Sequence, residues 1–217
     1  MTYSGAVTVG GPADVHELPD LMISKVAVGP MNNNAYLLRC RATDEQLLID
    51  AAAEPRTLLN LIGDGGIASV VTTHQHGDHW GALREVVDAT GARTHAGRFD
   101  AEGIPVPTDV LVEDGDTIRV GRVELTARHL VGHTPGSIAL IYDDPHGHPH
   151  VFTGDCLFPG GVGNTHDDPK AFASLIDDVE HKLFVLADET WVYPGHGDDT
   201  TLGAERPHLG EWRERGW

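Results

Sequence analysis

The stretch Thr73-His74-Gln75-His76-Gly77-Asp78-His79-Trp80 decides which fold this chain can adopt. Three histidines and an aspartate fall within six of its residues, positions 74–79. So many nitrogen and oxygen donors are costly to place side by side unless a metal ion binds them. In an extended backbone His74 and His76 project to the same side, because side chains alternate along a strand. We therefore predict that this stretch binds metal.

A strand precedes this stretch and a helix follows it. Residues 68–73 are small or β-branched, which is typical of a buried strand. Apolar or β-branched residues then recur at helical spacing over 83–90, and Gly91 provides a helix stop. The stretch thus lies on a strand-to-helix loop, where α/β folds keep their chemistry. Asp78 and His79 lie where the chain turns into the helix and can face a second point, so one loop could feed two metal ions.

The pattern His74-x-His76-x-Asp78-His79 resembles the HxHxDH signature of the metallo-β-lactamase superfamily of binuclear hydrolases. The later ligands of that family have counterparts in the same order: His133 in Gly-His-Thr-Pro-Gly-Ser (132–137), Asp155 in Thr-Gly-Asp-Cys-Leu-Phe (153–158) and His196 in Tyr-Pro-Gly-His-Gly (193–197). With all four pieces in order, coincidence is a negligible explanation. The resemblance covers essentially the whole chain and is closest to the short glyoxalase II-like branch.

The resemblance implies an α/β (α+β) fold, a four-layer αβ/βα sandwich whose two pseudo-symmetric halves pack into one globule. A chain of 217 residues can bury one good core, and we predict a single domain over residues 1–217. Residues 1–14 are Gly-rich and polar, which predicts a loose N-terminal arm. Alternation over 15–28 predicts one strand. An apolar stripe over 172–184, opened by Asp168, predicts the clearest helix of the chain.

The resemblance also implies a ligand set for two divalent ions. It assigns His74, His76 and His133 to the first ion, Asp78, His79 and His196 to the second, and Asp155 as the bridge between them. Nitrogen and oxygen donors suit zinc, and they also accept iron or manganese. Three histidines on one ion leave a position for water, which favours a catalytic site over a structural one.

A bound metal lowers the pKa of water from about 15.7 to near 7, which makes hydrolysis at neutral pH the expected chemistry. Asp78 is placed both to bind metal and to accept a proton, so it is the predicted catalytic residue. The substrate would be an activated acyl compound, and the resemblance favours a thioester, as in hydroxyacylglutathione hydrolase. Glutathione specificity is not carried over, because the family's C-terminal domain supplies it and only residues 197–217, 21 in all, follow His196.

Other activities share this scaffold. Lactonases and β-lactamases also hydrolyse activated acyl groups. Persulfide dioxygenases resemble the pattern but use a single iron bound by two histidines and an aspartate, so metal count and oxygen uptake would separate the two classes. A ligand-free interaction module is disfavoured, because every ligand position is filled.

The formal net charge of −18 argues against nucleic acid or an anionic membrane as a partner. No run approaches 18 apolar residues, and the N-terminus lacks a basic region followed by an apolar core. Cys40 and Cys156 are far apart and give no disulfide framework. We therefore expect a cytoplasmic protein with a small-molecule substrate.

Several polar residues have two explanations. Asp50 resembles a buried aspartate that orients the metal loop in the family, but a carboxylate that caps the next helix is an equal alternative. For Asn32-Asn33-Asn34, turn chemistry is favoured over ligand binding. Residues 163–166, Gly-Asn-Thr-His, stand where relatives often have Gly-Arg-Thr-Asp, which puts a substrate role for that arginine in doubt. His166 is expected to be exposed, with substrate contact as the alternative.

Four further residues are predicted to have no part in the chemistry. His146, His148 and His150 alternate around a hairpin tip but lack supporting carboxylates or cysteines, which favours a solvated turn. Cys156 would be a poor nucleophile, because the neighbouring Asp155 disfavours its thiolate, and we predict a small buried residue.

Overall fold

Two β-sheets pack face to face, and helices cover the outer face of each. The computed structural model describes residues 3–216, so residues 1 and 2 of the predicted arm lie outside the described part, as does Trp217. One hydrophobic cluster fills the space between the sheets. A second lies between the first sheet and its helices, and a third lies between the second sheet and its helices. The predicted four-layer αβ/βα sandwich is therefore confirmed.

The first sheet contains seven strands in chain order: β1 (Asp14–Glu17), β2 (Leu21–Val28), β3 (Asn33–Cys40), β4 (Gln46–Ile49), β5 (Ser69–Thr72), β6 (Arg93–Gly97) and β7 (Val110–Val112). The pairs from β1 to β4 are antiparallel, and those from β4 to β7 are parallel. Parallel neighbours need a crossover connection. The helices α1 (Pro55–Ile62) and α2 (Leu83–Thr90) provide two of these and cover the outer face.

The second sheet has the order β15-β14-β11-β10-β9-β8. Its strands are β8 (Thr117–Val120), β9 (Val123–Leu130), β10 (Ser137–Tyr142), β11 (His150–Gly154), β14 (Trp191–Pro194) and β15 (Thr200–Thr201). A separate two-stranded sheet contains β12 (Leu157–Phe158) and β13 (Gly161–Val162). The helices α3 (Pro169–Asp178), α4 (Leu202–Glu205) and α5 (Leu209–Arg215) complete this half, with Phe172, Leu175 and Trp212 packed against the sheet.

Alternation along β2 explains how one strand contributes to two clusters. Leu21 and Ile23 lie between the two sheets, whereas Val26 and Val28 pack toward α1 and α2. By the same alternation Lys25 lies on the inner face, and it is fully buried there. A charged residue at that depth requires partners. The N-terminal segment and the segment between β14 and β15 supply them, as described below.

Two predictions about the N-terminal region differ from the structure. Residues 15–28 do not form one strand: the chain turns at residues 18–20 and pairs β1 with β2 as a hairpin, because Pro19 interrupts the strand. The segment predicted as a loose arm contacts the body of the protein. The Tyr3 hydroxyl donates to Asp199 at 2.6 Å, and the Gly5 carbonyl accepts from Lys25 at 2.7 Å.

The helix predicted after Asp168 is confirmed, with a change in its second half. The Asp168 side chain accepts from the backbone N–H groups of Lys170 and Ala171, as an N-cap should. α3 then continues through one π-helical turn, Val179–Leu183, which keeps the predicted stripe residues Val179 and Leu183 buried. Among residues 3–216, none of the helices has the length and apolar character needed to cross a membrane.

Candidate metal centre

The structure brings all seven predicted ligand residues to one end of the sandwich. His74 and His76 follow β5, and Asp78 and His79 lie in the 3-10 turn Gly77–His79. The remaining three come from the second sheet: His133 from the β9–β10 loop, Asp155 directly after β11, and His196 two residues after β14. Both halves of the molecule therefore contribute to one site.

Three histidines form the first group of candidate ligands. His74 Nε2 lies 3.1 Å from His76 Nδ1 and 3.3 Å from His133 Nε2. One donor atom from each residue lies within 4.8 Å of the other two. His74 is fully buried and His76 is partly exposed, so the group is reached from the His76 side.

Asp78, His79 and His196 form the second group, again with donor atoms within 4.8 Å of one another. His196 Nε2 lies 3.2 Å from His79 Nε2 and 3.3 Å from Asp78 Oδ2. Asp155 lies between the two groups. Its Oδ1 is 3.3 Å from His79 Nε2, and its Oδ2 is 3.6 Å from His133 Nε2 and 3.4 Å from His196 Nε2. This is the position that a bridging carboxylate requires.

The outer ring nitrogens of four histidines are held by oxygen atoms. These contacts join His74 Nδ1 to Thr73 Oγ1 (3.0 Å), His79 Nδ1 to Asp50 Oδ2 (2.7 Å), His133 Nδ1 to the Asn164 carbonyl (2.8 Å) and His196 Nδ1 to the Met31 carbonyl (3.0 Å). The Thr73 hydroxyl donates to Asp50, so it accepts from His74. An Nδ1–H donated outward leaves the Nε2 lone pair directed into the site, as in metal-binding histidines.

When the histidines are neutral, too few hydrogens lie between these inner atoms. The Nε2 atoms of His79 and His196 are 3.2 Å apart, and Asp155 Oδ1 is buried without a hydrogen-bond partner. Lone pairs that face each other in a buried site repel unless a cation lies among them. The donors thus fit divalent ions, in two groups that share Asp155.

Burial and charge set different protonation states across the site. Burial holds the pKa of His74 well below its usual value and also lowers that of His133. Burial would lower the pKa of His79 too, but the carboxylates of Asp50 and Asp155 outweigh it and raise the pKa to about 10. Asp155 likewise raises the pKa of His196 against the effect of burial. Metal binding must displace protons from the second group more than from the first.

Asp50 orients the metal loop, and the alternative of a helix cap is wrong. Its buried carboxylate accepts from the Thr73 N–H at 2.7 Å, from the Thr73 hydroxyl at 2.8 Å and from His79 Nδ1 at 2.7 Å. The N-cap of α1 is instead Glu54, whose side chain makes no capping hydrogen bond. One carboxylate therefore fixes both ends of the loop that contributes His74 and His76 to the first group and Asp78 and His79 to the second.

Two asparagines that are predicted to lie in a turn contact the site or the segment that carries His196. Asn32 has the positive φ of 56° expected of a turn, but Asn33 and Asn34 begin β3. Asn33 Nδ2 donates to Asp78 Oδ2 at 2.8 Å, and Asn34 Nδ2 donates to the Pro194 carbonyl at 2.9 Å. The signal in the sequence is that a tight turn needs one asparagine, whereas residues 32–34 are three asparagines in a row.

Asp100 was also missed. It is fully buried, and its Oδ2 accepts from the Gln75 N–H at 3.0 Å and from the Thr134 hydroxyl at 2.5 Å. Gln75 lies between two candidate ligands and Thr134 follows another, so Asp100 ties the His74–His76 loop to the His133 loop. No motif marks Asp100, because the two loops meet only in the folded chain.

The loop after Asp155 bears on access to the site. His166 is exposed as expected, with a positive φ of 55°, and its ring centroid lies 6.1 Å from that of His76. Asn164 holds this loop in place: its carbonyl accepts from His133, and its side chain accepts from the His166 N–H at 2.7 Å. His166 is therefore both exposed and next to a candidate ligand. Its expected exposure is compatible with the alternative that it contacts a substrate.

The hairpin histidines do not share one environment. His146 is exposed and His148 partly so, but His150 is a buried residue of β11, so its assignment to a solvated turn is wrong. Its Nδ1 lies 3.0 Å from the Tyr193 hydroxyl, and its ring stacks on Tyr193 and Tyr142. Cys156 is fully buried, as predicted, and burial raises its pKa.

Comparison with known proteins agrees with the geometry of the site. The family model described as the metallo-beta-lactamase superfamily matches residues 28–196, a range that includes all seven candidate ligands. A hydroxyacylglutathione hydrolase from Polaromonas sp. (strain JS666 / ATCC BAA-500) is 36% identical over 179 residues, which are 81% of this chain and 66% of that protein. The mitochondrial persulfide dioxygenase ETHE1 from Homo sapiens is 35% identical over 168 residues, 74% of this chain and 62% of that protein.

This chain therefore spans just under two thirds of the length of both relatives. The crystal structure of TTHA1623 in a di-iron-bound form superposes with a TM-score of 0.70 at 34% identity, and the match covers 84% of this chain and 96% of that one. Proteins similar to this chain thus include one named as a hydrolase, one named as a dioxygenase and one whose crystal structure is di-iron-bound.

Proposed function

Because the chain belongs to the metallo-beta-lactamase superfamily, we propose that it is a binuclear metal-dependent hydrolase of an activated acyl compound, with a thioester as its substrate. The observation that carries this proposal is a pair of neighbouring donor groups with Asp155 between them, its oxygens 3.3 Å to 3.6 Å from His79, His133 and His196. Structural zinc sites are typically closed by cysteines, alone or with histidines, whereas neither of these donor groups contains a cysteine. A small-molecule substrate would enter from the side on which His76 is partly exposed.

The proposed ligands are His74, His76 and His133 for the first ion, Asp78, His79 and His196 for the second, and Asp155 for both. Zinc is the proposed metal. Iron and manganese are alternatives, because nitrogen and oxygen donors do not discriminate sharply among these ions.

Divalent ions in this site would lower the pKa of a bound water toward 7 and polarise the acyl carbonyl. Asp78 is the proposed proton acceptor. Burial would raise its pKa, but the hydrogen bond from Asn33 and the charge of His79 outweigh burial and lower it. A lowered pKa keeps Asp78 ionised at neutral pH, so its carboxylate is free to accept a proton. Asn33, which donates to Asp78 at 2.8 Å, would keep the carboxylate in position for this transfer.

Apolar residues near His196 support a substrate with apolar parts. The Met31 carbonyl accepts a hydrogen bond from His196 Nδ1, and the Met31 residue is 60% exposed there. The Phe158 ring lies 6.4 Å from the His196 ring. His166 lies on the opposite side, near His76. A thioester is preferred among activated acyl groups because one relative is a hydroxyacylglutathione hydrolase. Lactones and β-lactams are the alternatives, and the thiol need not be glutathione.

A persulfide dioxygenase is the second candidate, and the similarity to ETHE1 favours it. That reaction needs one iron, which would leave part of the donor set without a role. The second group, however, has its own supports: Asp50 holds His79 and Asn33 holds Asp78. Support of this kind is typical of residues that bind metal, and it favours two ions over one.

One experiment separates these candidates. Protein purified without added metal is analysed for zinc, iron and manganese, then assayed with thioesters of several thiols, lactones, β-lactams and a persulfide in an oxygen electrode. We expect two metal ions per chain, thioester hydrolysis and no oxygen uptake. One iron per chain with persulfide-dependent oxygen uptake would establish the dioxygenase instead. Protein treated with chelator is the control, and it should regain activity with Zn²⁺ alone.

A further inference from the structure

Lys25 is buried between the two sheets with a complete set of partners. Its ammonium donates to the Gly5 carbonyl at 2.7 Å, the Gly197 carbonyl at 2.8 Å and Asp199 Oδ1 at 2.6 Å. The other oxygen of Asp199 accepts from the Tyr3 hydroxyl at 2.6 Å and from Trp191 Nε1 at 2.9 Å. The side chains of Lys25 and Asp199 are 0% and 1% exposed. Each ammonium hydrogen and each carboxylate oxygen therefore has a partner.

This pair lies directly behind the turn of residues 194–197, which carries His196. Besides Lys25, the Gly197 carbonyl accepts from Asn34 Nδ2 at 2.9 Å. The Pro194 carbonyl accepts from the Tyr36 hydroxyl at 2.6 Å, and the Gly195 carbonyl accepts from the Asn34 N–H at 2.7 Å. The turn belongs to the second half of the chain, yet these donors all come from β2 and β3 of the first sheet.

The turn has little freedom to shift toward the site. A Cβ at Gly195 would lie 2.2 Å from Asp155 Oδ1 and 2.7 Å from His79 Cε1, so only glycine allows this approach. A displacement of the turn would move His196 relative to Asp78 and His79, whose nearest atoms are 3.3 Å and 3.2 Å away. The position of His196 thus depends on what holds the turn from behind.

We propose that the buried Lys25–Asp199 pair positions the 194–197 turn, and through it His196 as a ligand of the second metal ion. The metal part of this inference rests on the proposed two-metal function. A buried ion pair adds little net stability compared with apolar residues of similar size, so a gain in stability alone does not explain it. A charge-assisted hydrogen bond to the Gly197 carbonyl fixes the turn more firmly than a neutral one would.

The first test is Zn²⁺ titration of the metal-free protein carrying Lys25→Met together with Asp199→Asn. Both charges are removed at once, so neither is left buried and unpaired. We expect the first Zn²⁺ to bind as in the wild type and the second to bind about 10 to 100 times more weakly. The matched control is Arg39→Met with Asp44→Asn, which removes an ion pair of the same 2.6 Å length that is 45% and 72% exposed. That control should bind both ions normally.

The second test needs no metal and measures hydrogen exchange of backbone amides. The Asn34 N–H is bonded to the Gly195 carbonyl, and the Gly195 N–H to the Gly154 carbonyl at 2.8 Å. In the metal-free Lys25→Met, Asp199→Asn variant we expect these two amides to exchange about tenfold faster, with the amides of β10 unchanged. If the double variant does not fold, Lys25→Gln with Asp199→Asn carries the same tests, because both charges are again removed and the two amides can still form hydrogen bonds.

Two outcomes overturn the proposal. One is equal weakening of both Zn²⁺ affinities with faster exchange at all amides, because the pair would then stabilise the whole fold and not the turn. The other is unchanged affinity and unchanged exchange at Asn34 and Gly195. A wild-type protein that binds one Zn²⁺ would contradict the two-metal function. The exchange rates would then decide by themselves whether the pair positions the turn.

Discussion

Asp78 serves two roles through one carboxylate in the proposed mechanism. It binds the second ion, and it is the nearest proton acceptor. Asn33 restricts its orientation through the 2.8 Å hydrogen bond to Oδ2. An amide keeps the volume of the side chain and removes both its charge and its basicity, so metal content and turnover measured together distinguish the ligand role from the base role.

Asp78→Asn is expected to reduce thioester turnover at least about a hundredfold, since proton transfer by a placed side chain contributes 10² to 10⁴ in rate. The first ion should remain partly bound, and the fold should survive. Steady-state kinetics and metal analysis on the same preparation measure both effects. Asp88→Asn, an exposed change on α2, is the matched control and should leave both unchanged. Near-wild-type hydrolysis with both metals present would show that Asp78 is not the base.

At the residue scale, the sequence predicts candidate ligands more readily than the residues that support them. His74, His76, Asp78 and His79 share one loop, so their spacing alone is informative. Asp100 is not marked in this way, because it joins Gln75 to Thr134 and these meet only through the tertiary fold. Asn33 is missed for a related reason: an amide in a turn-like sequence is ordinary until folding brings Asp78 within reach.

The β10–β11 hairpin shows how one short sequence divides into different environments. His146 and His148 lie at its tip, and His146 Nε2 is 3.2 Å from an oxygen of Asp20. His150 begins β11 and is buried. Replacing His146 and His148 with Gln should therefore leave metal content and turnover nearly unchanged. A large loss of bound metal in that variant would reveal a site at the tip.

His150 is expected to make the fold sensitive to acid. Burial, with help from the charges of His148 and His16, lowers its pKa to about 3. Its usual pKa is about 6.5, so between these values the unfolded chain binds the proton and the folded chain does not. Stability contributed by neutral His150 is complete above pH 6.5 and is lost as the pH falls toward 3. The slope of this loss is at most about 1.4 kcal/mol per pH unit.

Urea unfolding of metal-free protein at several pH values measures this effect. His150→Asn keeps a neutral polar group and removes the titration, so the decline below pH 6.5 should be shallower than in the wild type. The same comparison is repeated in a His16→Asn background, because His16 lies 2.9 Å from the same Tyr193 hydroxyl and its pKa is also lowered by burial. Parallel curves would show that His150 is not the sensitive group.

At the element scale, local signals give helix boundaries and miss interruptions. α1 begins at Pro55 and ends before Gly63, as these two residues predict. The alternation over 15–28 continues through Pro19, so one strand was expected where two are paired. The π-helical turn after α3 adds a residue to the helical repeat without breaking the apolar stripe, and periodicity alone does not reveal it.

For the whole molecule, the site joins the two halves. His74, His76, Asp78 and His79 follow a strand of the first sheet, and the other three candidate ligands follow strands of the second. Metal that binds only the folded chain stabilises it by about 4 kcal/mol at a thousand times the dissociation constant. Chelation should therefore lower Tm by roughly 10 °C for a domain of this size.

Scanning calorimetry with and without chelator tests this link between metal and stability. Added Zn²⁺ should restore the Tm of the wild type. Asp155→Asn should show a much smaller difference, because a neutral amide removes charge shared by both ions. A wild-type Tm that does not respond to chelator would mean that the ligands do not hold metal tightly enough to join the halves.

The most direct measurement of the central claim is an anomalous difference map from crystals of protein purified without added metal. It should show two peaks, one among His74, His76 and His133 and one among Asp78, His79 and His196, with Asp155 between them. Data collected on both sides of the zinc and iron absorption edges identify the element at each peak. A single iron peak bound by two histidines and an aspartate, with nothing at the second group, would contradict the two-metal hydrolase.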